Sequence, residues 1–337
     1  MAHAMETGTV VIDENRIRLL ARTLGRLPLA ADFSAQLTPR VEVEDETAFL
    51  AYLWASAICH ATKGGLAGYF SGHYYKGWDF LLRAFTRQAA ESPGTLSPEA
   101  MEDITEAGLT AILVEHAEKA EVKLADLSRR AEILRTTSSE LLRAFEGSVS
   151  LLLEEAEHTV GGDSGVYALL ARLSAFRDPL HKKSSAFLMT VHFSGRWKIA
   201  DQHNILPMID YHRMRILLRT GCITVLDDDI ARRLRDQQTV SPAVETVVRE
   251  VSMRVCSELP GLAGMPMFDF DVLLWAHARS CCRNAPLCVS RQVENDSFHS
   301  YLAFPTPNRC VFESWCPGKS DARSRDLWEP VVATENY

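Results

Sequence analysis

Apolar residues recur at helical spacing along most of the chain. Phe49, Leu50, Leu53, Trp54, Ala57 and Ile58 fall on one face of a helix, and Leu124, Leu127, Ala131, Leu134, Leu141 and Phe145 repeat the pattern further on. Alternation of period two is scarce, so strands should be few and short. Ser97-Pro98 and Ser241-Pro242 each offer an N-cap hydroxyl followed by a proline at the first helical position, where its missing N–H costs nothing. Stops are expected at Gly147, Gly161-Gly162 and Gly221. The pattern predicts an all-α fold. No repeat, low-complexity tract or long linker interrupts it, which favours one compact body of two lobes. From about Val289 onward the periodicity fades into prolines, isolated aromatics and two cysteines. The expected organisation is a helical domain over 1–288, its active site between two lobes, and an irregular C-terminal segment over 289–337.

At 337 residues, 47% hydrophobic and 24% charged, the chain is an ordinary globular one. No apolar run approaches the roughly 20 residues that span a bilayer. The start, Met1 to Glu6, has neither a basic flank nor an apolar stretch. A soluble, cytoplasmic and monomeric protein with no membrane partner is expected. The net charge of −8 argues mildly against a polyanionic partner. Between Arg172 and Gly221 the balance reverses: Arg172, Arg177, Lys182, Lys183, Arg196, Lys198, Arg213, Arg215 and Arg219 face only Asp178, Asp201 and Asp210. Such a stretch is either a phosphate-facing surface or a solvated helix face.

Candidate chemistry lies in the same stretch. In Phe176-Arg177-Asp178-Pro179-Leu180-His181-Lys182-Lys183, Pro179 marks a turn after which the two lysines open a helix. Asp210, shortly after Pro207, sits near the start of the next helix. There the helix dipole and free N–H groups keep a carboxylate ionised. That suits glycosidic cleavage, in which positive charge develops on the sugar as a base departs. The same position is also that of an ordinary N-cap.

Phe176-Arg177-Asp178, Lys182-Lys183, Ile209-Asp210-Tyr211 through Leu217-Leu218-Arg219-Thr220-Gly221, and Asp271-Val272-Leu273-Leu274-Trp275 resemble the ordered landmarks of the queuosine salvage protein family. Tyr75-Lys76-Gly77-Trp78, Ile104-Thr105-Glu106 and Phe145-Glu146-Gly147-Ser148 resemble it upstream, so the likeness runs from roughly Thr47 to Arg279. The family consists of nucleoside N-glycosylases whose fold is similar to the helix-hairpin-helix DNA glycosylases, including the archaeal 8-oxoguanine type. The resemblance implies that Asp210 is the essential carboxylate, and that Lys182 or Lys183 matches the lysine that attacks the sugar carbon in bifunctional DNA glycosylases. It implies that Trp78, Phe176, Tyr211 and Trp275 line or stack on the base, with Asp178 and Asp271 as further substrate contacts. Core packing is the alternative for the aromatics, and phosphate binding for the lysines. A nucleophilic lysine must be neutral, which burial or a neighbouring cation brings about. The turn at Pro179 departs from the Gly-x-Gly hairpin by which many DNA glycosylases hold a phosphate. That task would pass to His181, Lys182 and Lys183, with Arg213 as a further nucleic-acid contact.

Of the eight cysteines, Cys59, Cys222 and Cys256 sit in apolar helical surroundings and read as small buried hydrophobes. The other five crowd into the last sixth of the chain. Cys281-x6-Cys288 and Cys310-x5-Cys316 look like the iron–sulfur loop of endonuclease III-like glycosylases with its middle expanded by an insertion. The resemblance implies a 4Fe–4S cluster, with zinc as the alternative, on Cys281, Cys288, Cys310 and Cys316, leaving Cys282 spare. Disulfides are the other reading of the pairs. Such a metal would staple the irregular tail, and in the DNA enzymes the loop lies beside the duplex.

The leading expectation is therefore a DNA glycosylase that flips a modified base, with a lyase step open to Lys182 or Lys183. Bulky phage bases such as glucosylated hydroxymethylcytosine come first as substrates, and antiviral defence would follow. The alternative is a nucleoside N-glycosylase acting on free queuosine or its monophosphate, and a third reading is a non-catalytic, metal-stabilised binding module.

Overall fold

The computed structural model describes residues 9–27, 38–39, 41–115, 117–293 and 308–337, so the Met1–Glu6 start and positions 294–307 of the tail lie outside the described residues. The chain is mostly helical, as expected, and the five strands among the described residues are three to seven residues long. No described helix is long and apolar enough to cross a membrane. The chain divides into two compact units, Met1–Phe33 with Pro207–Ala333, and Ser34–Leu206 with Thr334–Tyr337. The boundary expected at 288/289 falls inside the first unit.

In the Ser34–Leu206 unit the helix Asp45–Ala57 is buried on every side from Ala48 to Ala57. Its spacing read as one apolar face, but small residues (Ala48, Ala51, Ala55) fill the other faces and let neighbours close in. The Trp54 indole donates to the Leu96 carbonyl at 2.9 Å, which satisfies its buried N–H. The helix Lys182–Phe193 packs against this core helix and is likewise buried from Lys182 to Val191. A three-stranded antiparallel sheet, β2 (Leu66–Phe70) between β3 (His73–Lys76) and β4 (Glu118–Leu124), lies in the same unit. Leu124 thus ends a strand, and the helix beyond it starts at Leu127. Ser97 caps Pro98–Glu102 as its sequence signal indicates, accepting from Ala100 N.

In the other unit, Glu14–Leu24 packs against the long helix Pro242–Ala263, where Gly25 is required. A Cβ there would stand 2.7 Å from the Ala263 carbonyl oxygen. β1 (Val10–Ile12) pairs antiparallel with β5 (Ile223–Val225). The helix Tyr211–Thr220 packs on both Pro242–Ala263 and Met267–Ser280 and ends at Gly221, whose φ of 72° is the left-handed stop that glycine permits.

Candidate functional site

The expected site residues fall into two groups, one in each unit. In the Ser34–Leu206 unit, Asp178 folds the turn around Pro179: Oδ1 accepts from Leu180 N at 3.2 Å and Oδ2 from Lys182 N at 3.0 Å. With its carboxylate so engaged, Asp178 starts the helix that carries the lysines. Both amines point into the unit. Lys182 Nζ donates to the Cys59 carbonyl at 3.0 Å and lies 3.2 Å from Cys59 Sγ, while Lys183 Nζ donates to the Ala57 carbonyl at 2.7 Å. Arg130, fully buried, donates to the carbonyls of Ile58 and His60, the latter at 2.7 Å. Three cations thus satisfy the carbonyls where the Asp45–Ala57 helix ends, at the negative pole of its dipole.

Burial, reinforced by the Lys182 charge, lowers the Lys183 amine to about 8. Near pH 8 this lysine is therefore about half neutral, the state a nucleophile or base requires. His60 lies in the same cluster, 3.5 Å from Asp126 Oδ2, and burial with the Arg130 and Lys183 charges lowers it to about 4. Cys59, His60 and Arg130 were not singled out by the sequence. The signal available was a Cys-His pair directly after an apolar helix. Cys59 is accordingly more than a small hydrophobe, since its sulfur and carbonyl both face a lysine.

In the other unit, Asp210 caps Tyr211–Thr220, its Oδ1 accepting from Arg213 N at 3.1 Å. Its Oδ2 pairs with the Arg213 guanidinium at 3.2 Å, and the side chain keeps 10% of its surface open. Arg213 also grips Asp271 with two prongs, one of them Nε to Oδ1 at 2.8 Å. Burial works against the Arg213 charge, but Asp271 and Asp210 more than offset it and hold the guanidinium above its ordinary value. Burial pushes the Asp271 carboxyl up, against the pull of Arg213. The two-pronged contact with a group that keeps its proton holds Asp271 as the carboxylate. One fixed cation thus serves two carboxylates, and Asp210 is the one that retains access.

Next to Asp210, the rings of Tyr211 and His212 stand 4.2 Å apart, and His212 meets Trp275 edge-on at 6.3 Å. Arg279 lies 5.1 Å over the Trp275 ring. His212, which the sequence did not flag, is fixed by Arg215 at 2.8 Å from its Nδ1. Arg249, also missed, donates to the Ile209 carbonyl just before Asp210, at 3.3 Å.

Several expectations need correction. Phe176 is fully buried core and offers no face to a base, whereas Trp78 is half-buried at its helix start. Arg213 cannot grip an external phosphate while it serves Asp210 and Asp271. His181 is held neutral at neutral pH by burial and packs 5.0 Å from the Tyr167 ring, so it brings no cation to a phosphate. The basic stretch is neither a phosphate-facing surface nor a solvated helix face as a whole. Lys182, Lys183, Arg213, Arg215 and Arg219 are buried, and Arg172, Arg177 and Arg196 pair with Glu155, Glu140 and Asp45.

The cysteines of the tail converge. Cys281, Cys282, Cys288, Cys310 and Cys316 all line one small cavity of the first unit, and none of them forms a disulfide. Cys282, expected to be spare, lines it with the rest. Among the described residues, no three His, Cys, Asp or Glu side chains already stand as a metal-binding group.

The fold and these clusters define a mostly helical protein in which each unit buries its charged groups around a helix terminus. The chain belongs to the queuosine salvage protein family, whose model matches residues 59–259. The match takes in Cys59, Arg130, Lys182, Lys183, Asp210 and Arg213, and ends before Asp271, Trp275 and the five tail cysteines. No curated protein gives a significant match to the chain.

Proposed function

We propose that this protein is an N-glycosylase that releases the base from a free queuosine-type nucleoside or its 5′-monophosphate. The family match across the segment that carries Asp210 and the buried lysines is the observation that carries this reading. Asp210 supplies the negative charge that stabilises the sugar cation as the base leaves, and Arg213 fixes its direction. Tyr211 and Trp275 take the base. Lys183, with an amine partly neutral near pH 8, is a separate titrating group of the Ser34–Leu206 unit. The likeness to helix-hairpin-helix DNA glycosylases rests on the same residues. Against duplex DNA as the substrate stands the engagement of eight of the nine cations from 172 to 219, all but the exposed Lys198, within the protein's own interior and ion pairs, since DNA affinity depends on free Lys and Arg.

The test is mass spectrometry of bases released from queuosine, its 5′-monophosphate and a set of DNAs with modified cytosines, using wild type and Asp210→Asn. Release from the free nucleoside or nucleotide, lost in the variant, is the expected result. Release from DNA alone would transfer the protein to the base-excision reading. Silence on every substrate, with the protein folded, would leave the non-catalytic binding module.

A further inference from the structure

The five cysteines of the cavity lie outside the family match, and nothing in the glycosylase reading uses them. They arrive from distinct places: Cys281 caps Met267–Ser280, Cys282 follows it, Cys288 lies in the short helix Leu287–Ser290, and Cys310 and Cys316 flank a turn. Buried cysteines that act as small hydrophobes scatter, as Cys222 and Cys256 do. Five at one cavity is a different arrangement.

The surroundings are built to hold these loops and to offset negative charge. Arg215 Nε and Arg219 donate to the Cys282 carbonyl at 2.7 and 3.0 Å, and Lys319 Nζ donates to the Cys288 carbonyl at 2.8 Å. Arg219 and Arg325 line the cavity. Gly318 lets the strands of chain approach, because a Cβ there would lie 3.2 Å from the Arg219 carbonyl oxygen and 3.5 Å from Cys316 Sγ. Cys282 and Cys288, whose carbonyls these cations hold, line the cavity together with Cys281, Cys310 and Cys316. Four thiolates in so enclosed a space would repel one another, and a metal centre is the partner that removes the repulsion.

We propose that this cavity is a thiolate metal site in which four of the five cysteines, Cys282 and Cys288 among them, bind a 4Fe–4S cluster or a zinc ion. Thiolates select these two occupants over harder cations. Binding replaces the four S–H bonds by four S–metal bonds and releases four protons, with no change in the oxidation state of sulfur. The side chains must close by rotation to reach the Zn–S or Fe–S distances of about 2.3 Å. The metal would hold together a segment in which, from Cys281 onward, only short helical turns are found among the described residues.

Full-length protein purified without oxygen or chelators would be assayed for iron, acid-labile sulfide and zinc per chain. About four irons with four sulfides, and a visible absorption lost on reduction, identify the cluster, while about one zinc identifies the ion. Cys282→Ala and Cys288→Ala should lower the metal at least ten-fold, with Cys222→Ala unchanged. Should those variants fail to fold, X-ray absorption on the wild type decides: a shell of sulfur alone supports the site and a nitrogen or oxygen shell overturns it. Folded wild type without stoichiometric metal, or full metal in both cavity variants, also overturns it. Asp210→Asn should keep its metal, so a failed glycosylase assay leaves this result untouched.

Discussion

Arg213 meets Asp271 through two prongs and Asp210 through a third contact at 3.2 Å, so one buried guanidinium orients two carboxylates of unequal access. The two acids should therefore respond differently to the same change. Asp271→Asn leaves a buried cation short of its main partner and should cost about 3–5 kcal/mol. Asp210→Asn keeps a good N-cap, because asparagine caps as well as aspartate, and should change stability by no more than about 1 kcal/mol. Its turnover should nevertheless fall about 10²–10³-fold. Urea unfolding and single-turnover base release check the pair. An Asp210→Asn protein with full activity would reduce Asp210 to its capping role.

Lys183 gives a prediction in pH. Its amine loses the proton near 8 when folded and near 10.5 when unfolded. Between these values the unfolded chain binds more protons, so the contribution of this residue to stability rises with pH across that window. Unfolding measured at intervals from pH 7.5 to 10.5 should show this slope, and Lys183→Met should remove it. If the neutral amine acts in catalysis, activity in the wild type should climb through about pH 8.

His60 works at the acid end. Its folded value of about 4 lies below the ordinary 6.5, so the native state resists protonation. The stability it contributes is complete above pH 6.5 and is lost as pH falls towards 4. Thermal melts of His60→Gln beside wild type should differ in their slope across that range and run parallel above it.

Among the aromatics, Tyr211→Ala and Trp275→Ala should raise KM by roughly five- to 150-fold, equivalent to the loss of about 1–3 kcal/mol of stacking, with smaller effects on kcat. Phe176→Ala should instead destabilise the fold by about 3–5 kcal/mol. Steady-state kinetics and urea midpoints separate the two classes. A Phe176→Ala protein of normal stability with a raised KM would return that ring to the substrate.

Much of the framework was legible because local signals decide it. The Ser97 and Ser241 caps, the Gly221 stop and the turn at Pro179 each depend on residues within four positions of one another. Burial depends on partners far along the chain. Spacing described Asp45–Ala57 as one-faced, but packing on its small side chains made it central. Charge counting was misled for the same reason. A lysine facing helix carbonyls and a lysine facing solvent look identical in a sequence, and Lys182, Lys183 and Arg130 each donate to backbone carbonyls, Lys182 to the Cys59 sulfur as well. The cysteines show the reverse: their crowding was visible, while Cys282 gained its place only when the loops folded around one cavity.

Because Lys183 answers to the carbonyl of Ala57 and Lys182 to that of Cys59, these partners are specified by where a helix stops and not by what its side chains are. No point substitution in Asp45–Ala57 deletes a carbonyl. One inserted residue, by contrast, would turn the helix end by about 100° and advance it by about 1.5 Å, carrying the acceptors away from all three cations together. The placement of the lysine pair is thus written into the length of a neighbouring helix, a property that tolerates drift in composition and not in register.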